Sequence, residues 1–172
     1  MKLYTGRGDQ GKTRLGNGQT TYKDDLVIKS LGSIDELNAL LGLITTEQVL
    51  IRKIQGELFQ IGAEVSLSKT KYPKIEDDIL FLENQIDIAS KQTEPLKNFI
   101  LPGGTPVSAW FHFARTVCRR AERDFVEMFK YHNSEVNEKI IIYLNRLSDL
   151  LFAFARLHND FGKNDIKWLG KS

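Results

Sequence analysis

Apolar residues recurring at steps of three and four, from about residue 27 to residue 160, constrain this chain more than any other feature. Val27, Leu31, Ile34, Leu37, Leu41 and Ile44 fall on one helical face, with Lys29, Asp35 and Glu36 on the others. Ile51, Ile54, Leu58, Ile61 and Val65 give a second stripe over about 48–67, and Ile79, Leu82, Ile86 and Ile88 a third over about 75–90. Thr105-Pro106 reads as a helix start, because the hydroxyl caps free N–H groups and the proline lacks the one that would be unbonded there. That fourth helix runs to about Tyr131, on a stripe of Trp110, Ala114, Val117, Ala121 and Phe125. A fifth, expected over about 134–160, is apolar on most of its surface through Ile140, Ile141, Leu144, Leu147, Leu151 and Phe154, which places it centrally. The fold class expected is therefore all-α: a five-helix bundle with an ordered glycine-rich N-terminal loop.

The expected organisation is a single helical domain over 1–172, with a loop at 1–23, the bundle at 24–160 and a tail at 161–172. The 92–104 segment reads as a linker ending in Phe99-Ile100-Leu101-Pro102-Gly103-Gly104. With 172 residues the chain can bury a real core. A formal net charge of +2 gives no bulk-charge argument for nucleic acid or an anionic membrane as partner. No apolar run approaches a membrane span, and Met1-Lys2-Leu3-Tyr4 offers no secretory core. The lone Cys118 cannot form an internal disulfide. A cytoplasmic protein is expected.

Five glycines crowd the first 23 residues, where neither the helical nor the strand period is sustained. Gly6-Arg7-Gly8-Asp9-Gln10-Gly11-Lys12-Thr13 matches the P-loop pattern, whose glycine N–H groups close on phosphate oxygens while lysine neutralises their charge. A true P-loop sits between a buried strand and a helix. Only five residues precede this one, Arg14-Leu15-Gly16-Asn17-Gly18 follows it, and no α/β alternation appears later. A polyphosphate site on another scaffold, or a glycine arm without a ligand, fits the context better.

On the fourth helix Arg115, Arg119 and Glu122 share one face, and Arg120, Arg123 and Glu127 the next. Arginine forks suit phosphate. The plainer alternative is a solvated face with intrahelical pairs such as Arg119–Glu122 and Arg120–Asp124. Asn145, Arg146 and Asp149 interrupt the apolar fifth helix and need partners there. Asn145 is the one least needed for an internal network, and so the best candidate there for a ligand contact. His112 lies one turn before Arg115, near enough to touch such a site without a catalytic role.

Five blocks in order resemble the PduO-type ATP:corrinoid adenosyltransferases: residues 4–13; Lys23-Asp24-Asp25 with Gly32-Ser33-Ile34-Asp35-Glu36-Leu37-Asn38; the second helix from Ile54 to Glu64; Phe99 to Gly104 with Ala114 to Arg123; and Asn145-Arg146-Leu147-Ser148-Asp149. The resemblance implies transfer of the 5′-deoxyadenosyl group of ATP to the cobalt of cob(I)alamin, giving adenosylcobalamin and triphosphate. It implies ATP contacts at Thr5, Gly6, Arg7, Gly8, Thr13, Arg14, Lys23, Arg119, Arg120, Glu122, Arg123 and Asn145. Asp35 and Arg115 match an ion pair across a subunit interface near the corrinoid, and Phe99 the aromatic that closes the lower face of cobalt. Arg119 and Phe99 are the expected catalytic residues. Mg2+ accompanies ATP, with its ligands unassigned. The expected assembly is a homotrimer with sites between subunits, a reductase supplies electrons to cobalt, and adenosylcobalamin-dependent enzymes receive the product. Gly6, Arg7 and Gln10 depart from the family's usual residues, and Lys12 falls at a variable position. The alternatives are a non-catalytic ATP- or corrinoid-binding bundle and a P-loop kinase or GTPase.

Overall fold

The computed structural model describes residue 4 and residues 6–67, 71–132 and 135–170. Five α-helices dominate it: α1 (Leu26–Leu41), α2 (Gln48–Leu67), α3 (Ile75–Gln92), α4 (Pro106–Tyr131) and α5 (Lys139–Leu157). Four short strands join them: β1 (Lys12–Arg14), β2 (Thr20–Tyr22), β3 (Ile100–Leu101) and β4 (Ile166–Lys167). The stripes of α1, α2 and α5 meet in one core, where Leu37, Leu41, Ile61, Leu144 and Leu147 are inaccessible to solvent.

Helix α4 packs between α1 and α5, and α5 between α4 and α3. Helices α1 and α4 run antiparallel, zipped by polar pairs at steps of about one turn. His132 meets Asp25 at 3.4 Å, Lys29 meets Glu127 at 2.7 Å and Asp124 at 3.1 Å, Ser33 donates to Asp124, and Arg120 pairs with Glu36. Helix α2 lies against α1. It reaches α5 through Tyr143, whose hydroxyl donates to Glu57 at 2.5 Å, and α3 through Lys53, which bridges Glu57 and Asp78. Buried Glu64 accepts the N–H groups of Tyr72 and Asn137, both at 2.6 Å, and so fixes two connections at one carboxylate.

Four expectations are corrected. The 1–23 segment is not all loop: β1 and β2 pair as an antiparallel hairpin, with Thr13 opposite Thr21. The 92–104 linker and the 161–172 tail each contribute a strand, β3 and β4, to a second ribbon. Helix α5 begins at Lys139 rather than about 134, because Asn137 caps the turn before it by accepting the N–H of Lys139 at 3.0 Å. Trp110 and Ile88 lie off their buried stripes, both more than one-third exposed, and fully buried Phe111 takes the inward position on α4. Thr105 does cap α4, accepting the N–H of Ser108 at 3.1 Å.

Candidate functional site

The hairpin is held to the bundle by its turn. Ser66, near the end of α2, accepts the N–H of Gly16 through its hydroxyl at 2.8 Å and that of Asn17 through its carbonyl at 3.2 Å. Asp25 ends the hairpin and caps α1, accepting from the N–H of Val27 and the hydroxyl of Thr21. Burial pushes the Asp25 carboxyl up, but those two bonds and nearby His132 hold it below its ordinary range. On the outer side, Arg7, Gly8, Lys12, Thr13, Arg14, Gly18 and Thr20 line a cavity of about 570 Å3.

Two lysines border this loop and behave differently. Lys23 brings its ammonium so near Gly8 that a Cβ there would lie 3.1 Å from Lys23 Nζ. Lys12 instead stands over the Tyr22 ring, 5.1 Å from its centroid, in a cation–π contact. Arg14 donates to the Gly18 carbonyl at 3.0 Å, which aims its guanidinium across the hairpin turn. Thr5 lies outside the described residues. Gly6 is exposed, with φ +70°, as the chain enters the loop.

The second group of candidates lies on α4 and α5. The expected intrahelical pairs do not form. Arg120 reaches α1 to pair with Glu36, Asp124 is taken by Ser33 and Lys29, and Glu122 accepts from Asn145 at 3.2 Å. The reason is geometric: α1 runs antiparallel beside α4 and offers carboxylates and cations at the same levels. Asn145 is not a spare polar group. It joins Glu122 to Arg146, which donates to it at 3.1 Å and to Glu83 of α3 at 2.7 Å. Arg123 donates to the Arg119 carbonyl. The exposed Arg119 side chain makes no hydrogen bond or ion pair among the described residues.

Arg115 is half-buried over the Phe152 ring, 5.9 Å from its centroid, and its Nε is buried without a hydrogen-bond partner among the described residues. Burial and the nearby Arg119 charge push its guanidinium down from the ordinary value. His112, one turn before Arg115 and buried edge-on to Phe152, is pushed down too, by burial and then by Arg115. Asp35 lies exposed on a groove between α1 and α2, with Leu31, Phe59 and Ala63, and makes no ion pair among the described residues. The expected Asp35–Arg115 pair does not form within one chain. Phe99 stands 78% exposed immediately before β3.

The hairpin's base and Arg119 are set apart along α4. The base of the hairpin meets α4 at its C-terminal end, through Asp25 and His132. Arg119 lies about 20 Å along the helix from that end, at 1.5 Å per residue. The sequence reading missed the hairpin pairing, the Arg120–Glu36 bond and the pairing of the C-terminal strand with β3. Asn17-Gly18 between two Thr-containing runs is a hairpin signal that points to the first. A bond between helices and a two-residue strand leave no such periodic signal.

Residues 3–158 match the family described as cobalamin adenosyltransferase. The corrinoid adenosyltransferase of Bacillus subtilis (strain 168) is 42% identical over 92% of this chain and 87% of its own length. The cobalamin adenosyltransferase of Cupriavidus metallidurans is 39% identical over 97% and 94%. Among solved structures, a variant PduO-type ATP:corrinoid adenosyltransferase from Lactobacillus reuteri, complexed with cobalamin and ATP, superposes with a TM-score of 0.87. It is 34% identical, with 99% of this chain and 98% of that one covered.

Proposed function

The chain belongs to the cobalamin adenosyltransferase family, and on that premise we propose how its own residues divide the work. The reaction is ATP-dependent adenosylation of a corrinoid. Cobalt(I) attacks C5′ of ATP, the cobalt–carbon bond forms as the C5′–oxygen bond breaks, and triphosphate leaves with the bonding pair. Cobalt(I) needs no general base. The protein's task is to align two substrates and stabilise the charge growing on triphosphate.

Lys23, Arg7, Arg14, Thr5, Thr13 and the backbone of Gly6 and Gly8 hold the phosphates, and Arg119 meets the leaving triphosphate. Arg120, Glu122, Arg123 and Asn145 hold the nucleotide beside it, with Asn145 acting through Glu122. The observation that carries this reading is the pairing of Lys23 with Gly8, while Lys12 is occupied by Tyr22. Among the described residues no three His, Cys, Asp or Glu side chains gather as a metal site. Mg2+, with its protein ligands unassigned, would accompany the phosphates of ATP and take few protein ligands there.

The assembly proposed is a homotrimer, in which the hairpin of one subunit faces α4 of the next. Its support is the separation of the two groups along α4 and the unpaired state of Asp35 and Arg115, a carboxylate and a guanidinium each lacking an ion-pair partner among the described residues. Pairing Asp35 with a neighbouring subunit's Arg115 compensates a charge that burial alone penalises. Phe99 is placed against the lower face of cobalt. There it excludes an axial ligand and makes cobalt(II) easier to reduce.

No described helix is long and apolar enough to cross a membrane. A cytoplasmic location fits the buried free thiol of Cys118. A reductase supplies the electron, and adenosylcobalamin-dependent enzymes take the product. The test is incubation with ATP and reduced cobalamin. Formation of adenosylcobalamin with release of triphosphate supports the reading; binding without product, or release of the γ-phosphate alone, contradicts it.

A further inference from the structure

The family match ends at residue 158, yet the chain beyond it returns to the Phe99 segment. After α5 it turns back and forms β4, which pairs antiparallel with β3, Ile100 opposite Lys167 and Leu101 opposite Ile166. The N–H of Trp168 donates to the Phe99 carbonyl at 2.8 Å. The Trp168 ring meets the Phe99 ring edge-on, with centroids 6.3 Å apart and planes at 68°.

A two-residue ribbon is marginal by itself. This one hangs from Asp165, whose oxygens accept from Arg156 Nε at 2.7 Å and Asn159 Nδ2 at 3.1 Å. Both donors are buried, and each reaches one end of the Phe99 segment. Arg156 donates to the Glu94 carbonyl at 2.6 Å, and Asn159 accepts the N–H of Thr105 at 3.3 Å. The fit at the second end is close: Gly104 has φ +99°, and a Cβ there would collide with Asn159 Oδ1. The segment from 94 to 105 and the C-terminal ribbon are thus fastened to one carboxylate.

We propose that the C-terminal ribbon is a positioning element for Phe99, with Trp168 as the positioning residue and Asp165 as its anchor. This rests on the reading of Phe99 given above. A phenyl ring exposed over most of its surface has little core contact to choose its rotamer, and an apolar wedge works only when it stands at one place against its target. Trp168 supplies a wall beside the ring. The edge-on contact favours one orientation over the others.

The experiment compares Trp168→Ala, Trp168→Phe and Phe99→Ala in the full-length protein with saturating ATP. Rates are measured from pre-reduced cob(I)alamin and from cob(II)alamin with a mild reductant, alongside the four-coordinate cobalt(II) spectrum and the melting temperature. Trp168 is half exposed and its N–H survives substitution, so Trp168→Ala is expected to melt normally. Its cob(II)-to-cob(I) rate ratio is expected to fall at least fivefold, with loss of four-coordinate signal, and Trp168→Phe is expected to restore both. If Phe99→Ala lowers the ratio and Trp168→Ala does not, the positioning role is wrong. If Trp168→Ala lowers both rates equally together with the melting temperature, the ribbon only stabilises the fold and the proposal fails. If Phe99→Ala itself leaves ratio and spectrum unchanged, the reading of Phe99 is what fails, and the proposal falls with it.

Discussion

Lys23 and Gly8 are fitted to each other: the ammonium occupies the space beside the glycine that a methyl group would enter, 3.1 Å from a Cβ built there. That sets a lysine downstream of the P-loop pattern against the loop's backbone, while Lys12 is held over Tyr22. Lys23→Ala is therefore expected to impair turnover more than Lys12→Ala, which should cost less than about tenfold, or roughly 1.4 kcal/mol. Steady-state kinetics with varied ATP test the order. The reverse order would restore Lys12 as the phosphate lysine.

Arg119 is exposed and makes no side-chain bond within the chain, so its removal should leave the fold intact. Arg119→Ala is expected to lower kcat at least about a hundredfold, since a donor that stabilises transition-state charge contributes about 2.7–4 kcal/mol. Arg119→Lys should also be slow, because lysine lacks the planar fork. Near-normal kinetics with an unchanged melting temperature would make this a solvated face only.

Asp35→Asn and Arg115→Ala should weaken assembly without unfolding the subunit, as both side chains lack an ion-pair partner among the described residues. Light scattering of the wild type should give three times the 19.7 kDa of one chain. A fully active monomer would refute the interfacial role.

Glu57 should make stability depend on pH. Burial raises its carboxyl above the ordinary 4.5, against the opposing bonds from Lys53 and Tyr143. Between 4.5 and that raised value the folded state holds a proton that the unfolded chain has released. Its contribution is full below 4.5 and is lost as pH rises through the folded value. Asp78 acts oppositely: burial raises it, but bonds from Lys53 and Tyr72 hold it below 3.8, so its contribution is lost in acid. Denaturant melts of wild type and Glu57→Gln from pH 4 to 7 should show the wild type losing ground relative to the variant as pH rises. A constant difference would mean that Glu57 titrates alike in both states.

The helices were legible because burial selects a period. Ile51, Ile54, Leu58, Ile61 and Val65 face the core, and any chain that buries α2 must repeat apolar residues there. The Thr105-Pro106 start was legible because capping is local. What sequence could not supply were relations between elements. Arg120 has Asp124 one turn away in sequence, yet it pairs with Glu36, because α1 brings that carboxylate alongside. Asn145 reads as a spare polar group until α4 and α3 supply Glu122 and Glu83 to its network. Trp168 lies in a segment with no periodicity, and only pairing with β3 brings it to Phe99.

In the proposed assembly one active site is built from the hairpin of one subunit and α4 of its neighbour. Mixing two variants that are each expected to be strongly impaired alone, Lys23→Ala and Arg119→Ala, tests that arrangement. After co-refolding in equal amounts, statistical assembly in a cyclic trimer joins two intact halves at about one quarter of the interfaces. Adenosylcobalamin synthesis should therefore return to about a quarter of the wild-type rate, an expectation that follows from the head-to-tail interface. A mixture as inactive as its components, shown by mass to contain mixed trimers, would place Lys23 and Arg119 in the same chain's site and contradict the account.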